Sequence, residues 1–220
     1  AKLFGINLKQ NFNFPYFSRN IAEFWRRWHI SLTTWFKDYL YIPLGGSKCT
    51  MPRVILNTFI IFSVSGIWHG ANWTFIVWGV YNALLFIPLL LTKQNRKYLD
   101  VVAKDRVLPT FKELSQITLT FILAVFGWII FRSASIEEAI EFISIILSSS
   151  VLDIGLPYGK GALVAIAFML IVEWFNRDKS YGLQLSGSGV FKYSAIRWCI
   201  YYGIIIATIL FMSANKSFIY

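Results

Sequence analysis

The sequence predicts an all-α polytopic membrane protein, and three observations carry that reading. The 220 residues are 56% hydrophobic and 18% aromatic with a mean hydropathy of +0.56, above the roughly 45–50% apolar share of soluble domains. The apolar residues gather in runs long enough to cross a bilayer. Lysine and arginine outnumber aspartate and glutamate by 21 to 11 and fall between those runs, as in the cytoplasmic loops of polytopic chains. That placement argues for a lipid bilayer as the partner of the basic residues and against nucleic acid.

The chain reads as a single membrane domain over residues 1–220. It opens AKLFGINLK without an initiator methionine, a charged n-region or a cleavage site, which reads as a fragment with further transmembrane helices expected upstream. Asn20 followed by Glu23 is a helix start of the capping-box type, and apolar residues then recur at Ile21, Phe24, Trp25, Trp28, Leu32, Trp35, Phe36 and Tyr39, a helical spacing. Arg26, Arg27, Thr33, Thr34, Lys37 and Asp38 fill the other face. Together they predict one amphipathic interfacial helix over 20–42, seated among headgroups by its tryptophans and ended by Pro43, Gly45 and Gly46.

Two hydrophobic runs, 54–71 and 73–91, predict a helical hairpin over 54–91. Runs at 117–131, 162–174 and 196–212 predict C-terminal transmembrane helices within 117–214, for about five crossings, or four if a weaker run stays on one side. The stretch 138–152 is apolar enough to dip into or lie on the membrane, but Glu137, Glu138 and Glu141 argue against a span. No repeat or low-complexity tract interrupts this order. Lys48 and Arg53 then share a side with Lys93, Arg96, Lys97, Lys104, Arg106 and Lys112, and Arg177, Lys179, Lys192 and Arg197 return to it. The opposite side holds Arg132, Glu137, Glu138, Glu141, Asp153 and Lys160. The positive-inside rule puts the basic side in the cytoplasm. Glu173, four residues before Arg177, predicts a helical ion pair.

The chain has two histidines, His29 in RRWHISL and His69 in SGIWHGANW. An ionisable group near the end of a hydrophobic run is costly, which makes His69 a functional candidate. Helical stepping places Ser65 and Gly66 on its face, and Gly66 with Gly70 forms a GxxxG that lets another backbone, or a substrate, come close. The alternative is that the glycines pack a neighbouring helix and His69 donates one hydrogen bond to a carbonyl. His29, at the edge of the amphipathic face, can equally be a solvated interfacial residue. Arg26 and Arg27 suit an anionic donor group or lipid phosphates. Cys49 and Cys199 have neither metal-ligand nor disulfide-framework spacing, and no metal set is expected. Without a serine elbow, a carboxylate pair or a P-loop, the common mechanism left is neutral imidazole as a general base, which takes a hydroxyl proton as that hydroxyl attacks an activated acyl carbon.

The stretch NFNFPYFSRNIAEFWRRWHISLTTWFKDYLYIPLGGSK, followed by SGIWHGANWTFIVWGVYNA, resembles the membrane-bound O-acyltransferase (MBOAT) family, and within it the bacterial alginate O-acetyltransferase branch. FRSASIEEAI and the closing SFIY look like later segments of the same branch. The resemblance implies a bundle of many transmembrane helices around a central tunnel, in the bacterial cytoplasmic (inner) membrane. It implies that His69 is the catalytic residue and His29 the upstream polar motif residue. The donor is expected to be acetyl-CoA or an acetyl group derived from it, a substrate and not a bound cofactor, arriving from the cytoplasm. The acceptor is expected to be an exported polysaccharide reached from the other side, with periplasmic acetylation partner proteins. Arg26, Arg27 and Lys37 would face headgroups or donor phosphates, while Asp38 and Asn72 take supporting or binding roles. Family members are longer, so the N-terminal half of the tunnel is expected to be absent. The hairpin puts His69 toward the non-cytoplasmic end of its span, whereas a shared catalytic point belongs at mid-depth; a break around Gly70, Ala71 and Asn72 would reconcile them. Two rival readings are a transporter or channel subunit using His69 as a proton relay, and a noncatalytic scaffold docking partners through the acidic 132–160 region.

Overall fold

The computed structural model describes residues 4–6, 8–148, 160–184 and 189–211. Among these residues every regular element is helical. Contacts divide the chain into two units, Ala1–Gly182 and Leu183–Tyr220. The expected continuation of the acidic stretch past residue 148, the end of the last expected span and the SFIY motif lie outside the described residues.

The amphipathic segment is not one helix. It forms α1 (Ile21–Arg27) and α2 (Ile30–Phe36), followed by a wider π turn over Lys37–Tyr41. Helical periodicity persists in both halves, but Trp28 is extended and His29 is left-handed at φ 45°, a conformation costing a non-glycine residue on the order of 1 kcal/mol. The compensation comes from the preceding chain. Asn13 donates its N–H to the Arg27 carbonyl at 2.9 Å and Ile30 donates to Asn11 at 2.9 Å. The Asn11 side chain also accepts from the Ser31 N–H at 3.2 Å. Groups that a helix end or start would leave open are thereby satisfied.

Asn20 caps α1 as its spacing predicts, accepting the Glu23 N–H at 2.8 Å. The Glu23 carboxylate does not complete the box. It is 1% exposed, pairs with Arg19 at 3.1 Å and Arg27 at 2.9 Å, and accepts the Arg19 N–H at 2.8 Å.

Helices α3 (Met51–His69) and α4 (Trp73–Leu91) form the expected hairpin, and α5 (Phe111–Arg132) packs on α4. These three are long and apolar enough to cross a membrane. The hairpin is close because two glycines face backbone: a Cβ at Gly66 would overlap the Phe75 carbonyl, and one at Gly79 the Phe62 carbonyl. Gly66 therefore serves helix packing, one of the two uses open to it. The hairpin turns through Gly70, Ala71 and Asn72, and His69 is the last residue of α3. The Tyr81 hydroxyl donates to the Leu123 carbonyl at 2.9 Å and ties α4 to α5. A short amphipathic helix, α6 (Ile136–Ile146), follows α5, capped by the Ser135 hydroxyl. Helix α7 (Lys160–Phe175) is a shorter apolar helix at the position of the fourth expected span.

The loop between α4 and α5 is gripped by arginines. Arg19 donates to the Asp100 carbonyl and carboxylate at 2.8 and 2.9 Å, and Arg26 donates to the carbonyls of Asn95 and Tyr98 at 2.6 Å each. Arg27 adds the Asp100 carbonyl at 2.9 Å. Arg177 stacks on Trp174 at 4.3 Å and donates to Val102 and Ala103 at 3.0 and 2.9 Å. The helical pair expected between Glu173 and Arg177 is consequently not formed. The guanidinium finds more acceptors in the loop than one carboxylate offers, and a Glu173 oxygen stays buried without a hydrogen bond among the described residues.

In the second unit a short turn over Gly189–Lys192 leads into α8 (Ser194–Phe211), an apolar helix at the position of the fifth expected span. Arg197 donates back to the Phe191 carbonyl at 2.6 Å, and Trp198 stacks on Tyr202 at 5.7 Å.

Candidate active site

His29 and His69 line one cavity of about 290 Å³. Two local devices bring them there. The left-handed residue between α1 and α2 presents His29 at the start of α2, where its ring stacks on Phe12 with centroids 6.3 Å apart. The end of α3 at the hairpin turn presents His69.

The walls are largely aromatic. The His69 imidazole stands edge-on to Phe131 at 4.8 Å and perpendicular to Trp78 at 5.6 Å, with Phe75 at 6.1 Å. Trp28 and Trp128 close another side at 5.4 Å from each other. Ser65 also lines the cavity, as its helical step from His69 predicts. Among the described residues neither His69 nitrogen has a hydrogen-bond partner, so the carbonyl bond weighed as an alternative is not made there. An imidazole ringed by carbon and unengaged by protein can exchange a proton with a molecule entering the cavity.

A second cavity, of about 510 Å³, adjoins the first; Trp25, Thr33, Ile61 and Phe62 line both. Its character is different. Arg26, Lys37 and Arg96 line it beside the hydroxyl-bearing Tyr41 and Ser47. Burial pulls the Arg26 guanidinium below its ordinary pKa, with the neighbouring Arg27 adding to the effect, while Glu23 opposes it. Burial pushes the Tyr41 phenol up, which keeps it a neutral hydroxyl at physiological pH. Asn95 and Arg96 place this cavity at the basic-loop end of α4.

The sequence-derived candidates therefore separate. His29 and His69 share the aromatic cavity; Arg26 and Lys37 share the basic one. Arg27 is engaged by Glu23, Asn13 and Asp100 and lines neither. Asp38 is exposed 3.4 Å from the Lys37 ammonium. Asn72 caps α4 by accepting the Thr74 N–H at 3.1 Å and donates to the Ala134 carbonyl at 3.1 Å. Sequence reasoning missed Trp128 and Phe131, which enter from α5 without a local motif, and Arg96, which stood only as a loop charge. The Arg19, Glu23 and Arg27 run was visible as two successive steps of four.

The model of the "MBOAT, membrane-bound O-acyltransferase family" matches residues 2–132. The chain is 42% identical over 137 residues to the "Probable alginate O-acetylase AlgI" of Pseudomonas aeruginosa, covering 62% of this chain and 24% of that protein. It is 38% identical over 138 residues to the "Peptidoglycan O-acetyltransferase" of Helicobacter pylori, covering 63% and 25%. With the "Teichoic acid D-alanyltransferase" of Bacillus subtilis it shares 33% identity over 139 residues, covering 59% and 33%. The matched stretch thus spans only a quarter to a third of these curated relatives' length. The stretch matched by the family model contains the residues that line both cavities.

Proposed function

Since the chain belongs to the membrane-bound O-acyltransferase family, we propose that it carries the reaction centre of a multi-pass O-acetyltransferase of the bacterial inner membrane. The enzyme moves an acetyl group from a cytoplasmic donor to hydroxyls of an exported polysaccharide, with His69 as general base. The observation that carries this reading is the shared aromatic cavity, lined by both His29 and His69, in which His69 has no hydrogen-bond partner among the described residues. The basic cavity beside it suits the donor. Arg26, Lys37 and Arg96 offer charge for phosphates, and the positive-inside rule puts their end of the protein in the cytoplasm.

The step follows from these parts. An acetyl thioester, acetyl-CoA or a donor derived from it, enters with its acyl carbon toward the aromatic cavity. A His69 nitrogen accepts the proton of an acceptor hydroxyl as the oxygen attacks the acyl carbon. The new C–O bond forms, the C–S bond breaks, and the proton on His69 passes to the departing thiolate. His29 orients the acceptor hydroxyl or holds the tetrahedral oxygen. The names of the alginate and peptidoglycan relatives support a glycan acceptor; in this reading it lies outside the cytoplasm, with periplasmic partner proteins completing delivery.

The test is ester-linked acetate on exported polysaccharide and on the wall fraction, for wild type and His69→Ala at matched membrane abundance. Loss of acetate is expected from the variant. Unchanged acetate in both fractions would remove His69 from the chemistry and favour a scaffold role.

A further inference from the structure

The two cavities are separated by side chains that belong to both. Trp25, Thr33, Ile61 and Phe62 line the basic cavity on one side and the histidine cavity on the other. An acyl group passing directly from a donor held by Arg26, Lys37 and Arg96 to His69 meets these shared side chains. Trp25 is its largest member, and its position is fixed. Its ring meets Phe62 edge-on at 5.6 Å and Trp78 edge-on at 5.6 Å. Its indole N–H donates to the Asn82 Oδ1 at 3.3 Å.

Asn82 is otherwise an expensive residue for its place. It lies 5% exposed inside the apolar helix α4 and donates its amide to the Trp78 carbonyl at 2.8 Å. A buried amide in a membrane helix is tolerated where its polar groups are satisfied. Here one acceptor is directed across to α1, onto the residue that divides the cavities.

We propose that Trp25, held by Asn82, is the size filter of the acyl passage: it admits a two-carbon acyl group to His69 and excludes longer chains. The inference rests on the acyl-transfer reading above and adds to it a residue that selects the donor's acyl part. Asn82 is a positioning residue, because it touches the filter and not the reacting atoms. Discrimination by the wall of an apolar passage is modest per methylene, about 10- to 200-fold, so a few carbons suffice to separate acetyl from longer acyl groups.

Membranes of the native host carrying the protein are given acetyl-, butanoyl- and hexanoyl-phosphopantetheine, the phosphate-bearing thioester arm common to CoA and acyl-carrier donors. The readout is the ratio of longer to two-carbon esters formed on the glycan. Trp25→Ala is expected to raise the butanoyl-to-acetyl ratio by about tenfold or more, the lower end of methylene discrimination. Trp25→Phe removes the indole N–H and Asn82→Leu removes its acceptor, so each is expected to raise the ratio by about threefold, a hydrogen bond's worth. The double variant should exceed neither, because both remove the same bond. If Trp25→Ala does not accumulate, the two milder variants decide. A merely structural role would lower the rate for all three chains and leave the ratio where it was. Acetyl transfer with an unmoved ratio in these variants overturns the filter and leaves the acyl-transfer reading standing. No transfer of any chain by wild-type membranes overturns both.

Discussion

Glu23→Gln is expected to loosen the protein without changing either cavity's lining. The carboxylate is 1% exposed and bridges Arg19 and Arg27, whose side chains are only 5% and 12% exposed. Glutamine keeps the volume and one acceptor oxygen but removes the charge facing two buried guanidiniums. Stranding buried charge in this way costs about 3–5 kcal/mol. The lower end applies here. Arg19 keeps the Asp100 carboxylate at 2.9 Å and the face of Tyr98 at 4.3 Å, and Arg27 keeps two carbonyls. A loss of about 3 kcal/mol corresponds to a fall in Tm of about 6–12 °C for a chain of this size. The assay is thermal unfolding in detergent, followed by the monodisperse fraction remaining after heating. Arg106→Gln serves as the control, since its pair with Glu113 at 2.9 Å leaves Arg106 47% exposed, and such pairs contribute under about 1 kcal/mol. Equal melting of Glu23→Gln, Arg106→Gln and wild type would refute the view that this network secures α1 to the loop.

Gly66→Ala should reduce folded protein in the membrane by about 1–3 kcal/mol through overpacking against the Phe75 carbonyl. Gly203→Ala, whose Cβ meets nothing within 4 Å, should be neutral or stabilising by up to about 1 kcal/mol of helix propensity; the two are compared by unfolding in detergent. His29→Gly should melt no lower than His29→Ala, because glycine accepts the positive φ of 45°, while both lose most ester formation. Thermal melts set beside polysaccharide acetate content separate those two effects.

The helices that cross the membrane were legible because hydrophobic length is a property of each segment alone, and α3, α4 and α5 lie where the apolar runs placed them. His69 was legible for a related reason: a lone ionisable group at the end of such a run stands out against its neighbours. The break at His29 was not. Its energy is offset by hydrogen bonds that Asn11 accepts and Asn13 donates, and a count of helical steps from residue 20 onward never consults the chain before it. Trp128 and Phe131 line the histidine cavity only because Tyr81 and Gly127 bring α5 against α4, a tertiary fact with no mark in the local sequence. Charge misled at Arg177, which reads as the partner of the Glu173 carboxylate yet finds its acceptors in the loop's backbone; the same backbone also engages Arg26 and Arg27.

That choice of acceptor divides what can drift in this protein from what cannot. A carbonyl is present whatever side chain its residue carries, so the bonds from Arg26 to Asn95 and from Arg177 to Val102 set no requirement on those side chains, whereas Tyr98 also offers its ring face to Arg19. The arginines have no such freedom, since lysine lacks the planar fork that reaches two carbonyls at once. Asn95 and Arg96 also line the basic cavity. Arg26 thus belongs to both the frame and the lining of this cavity, whereas Lys37 and Tyr41 line it without holding the loop, which leaves those two positions open to change while the frame keeps its shape.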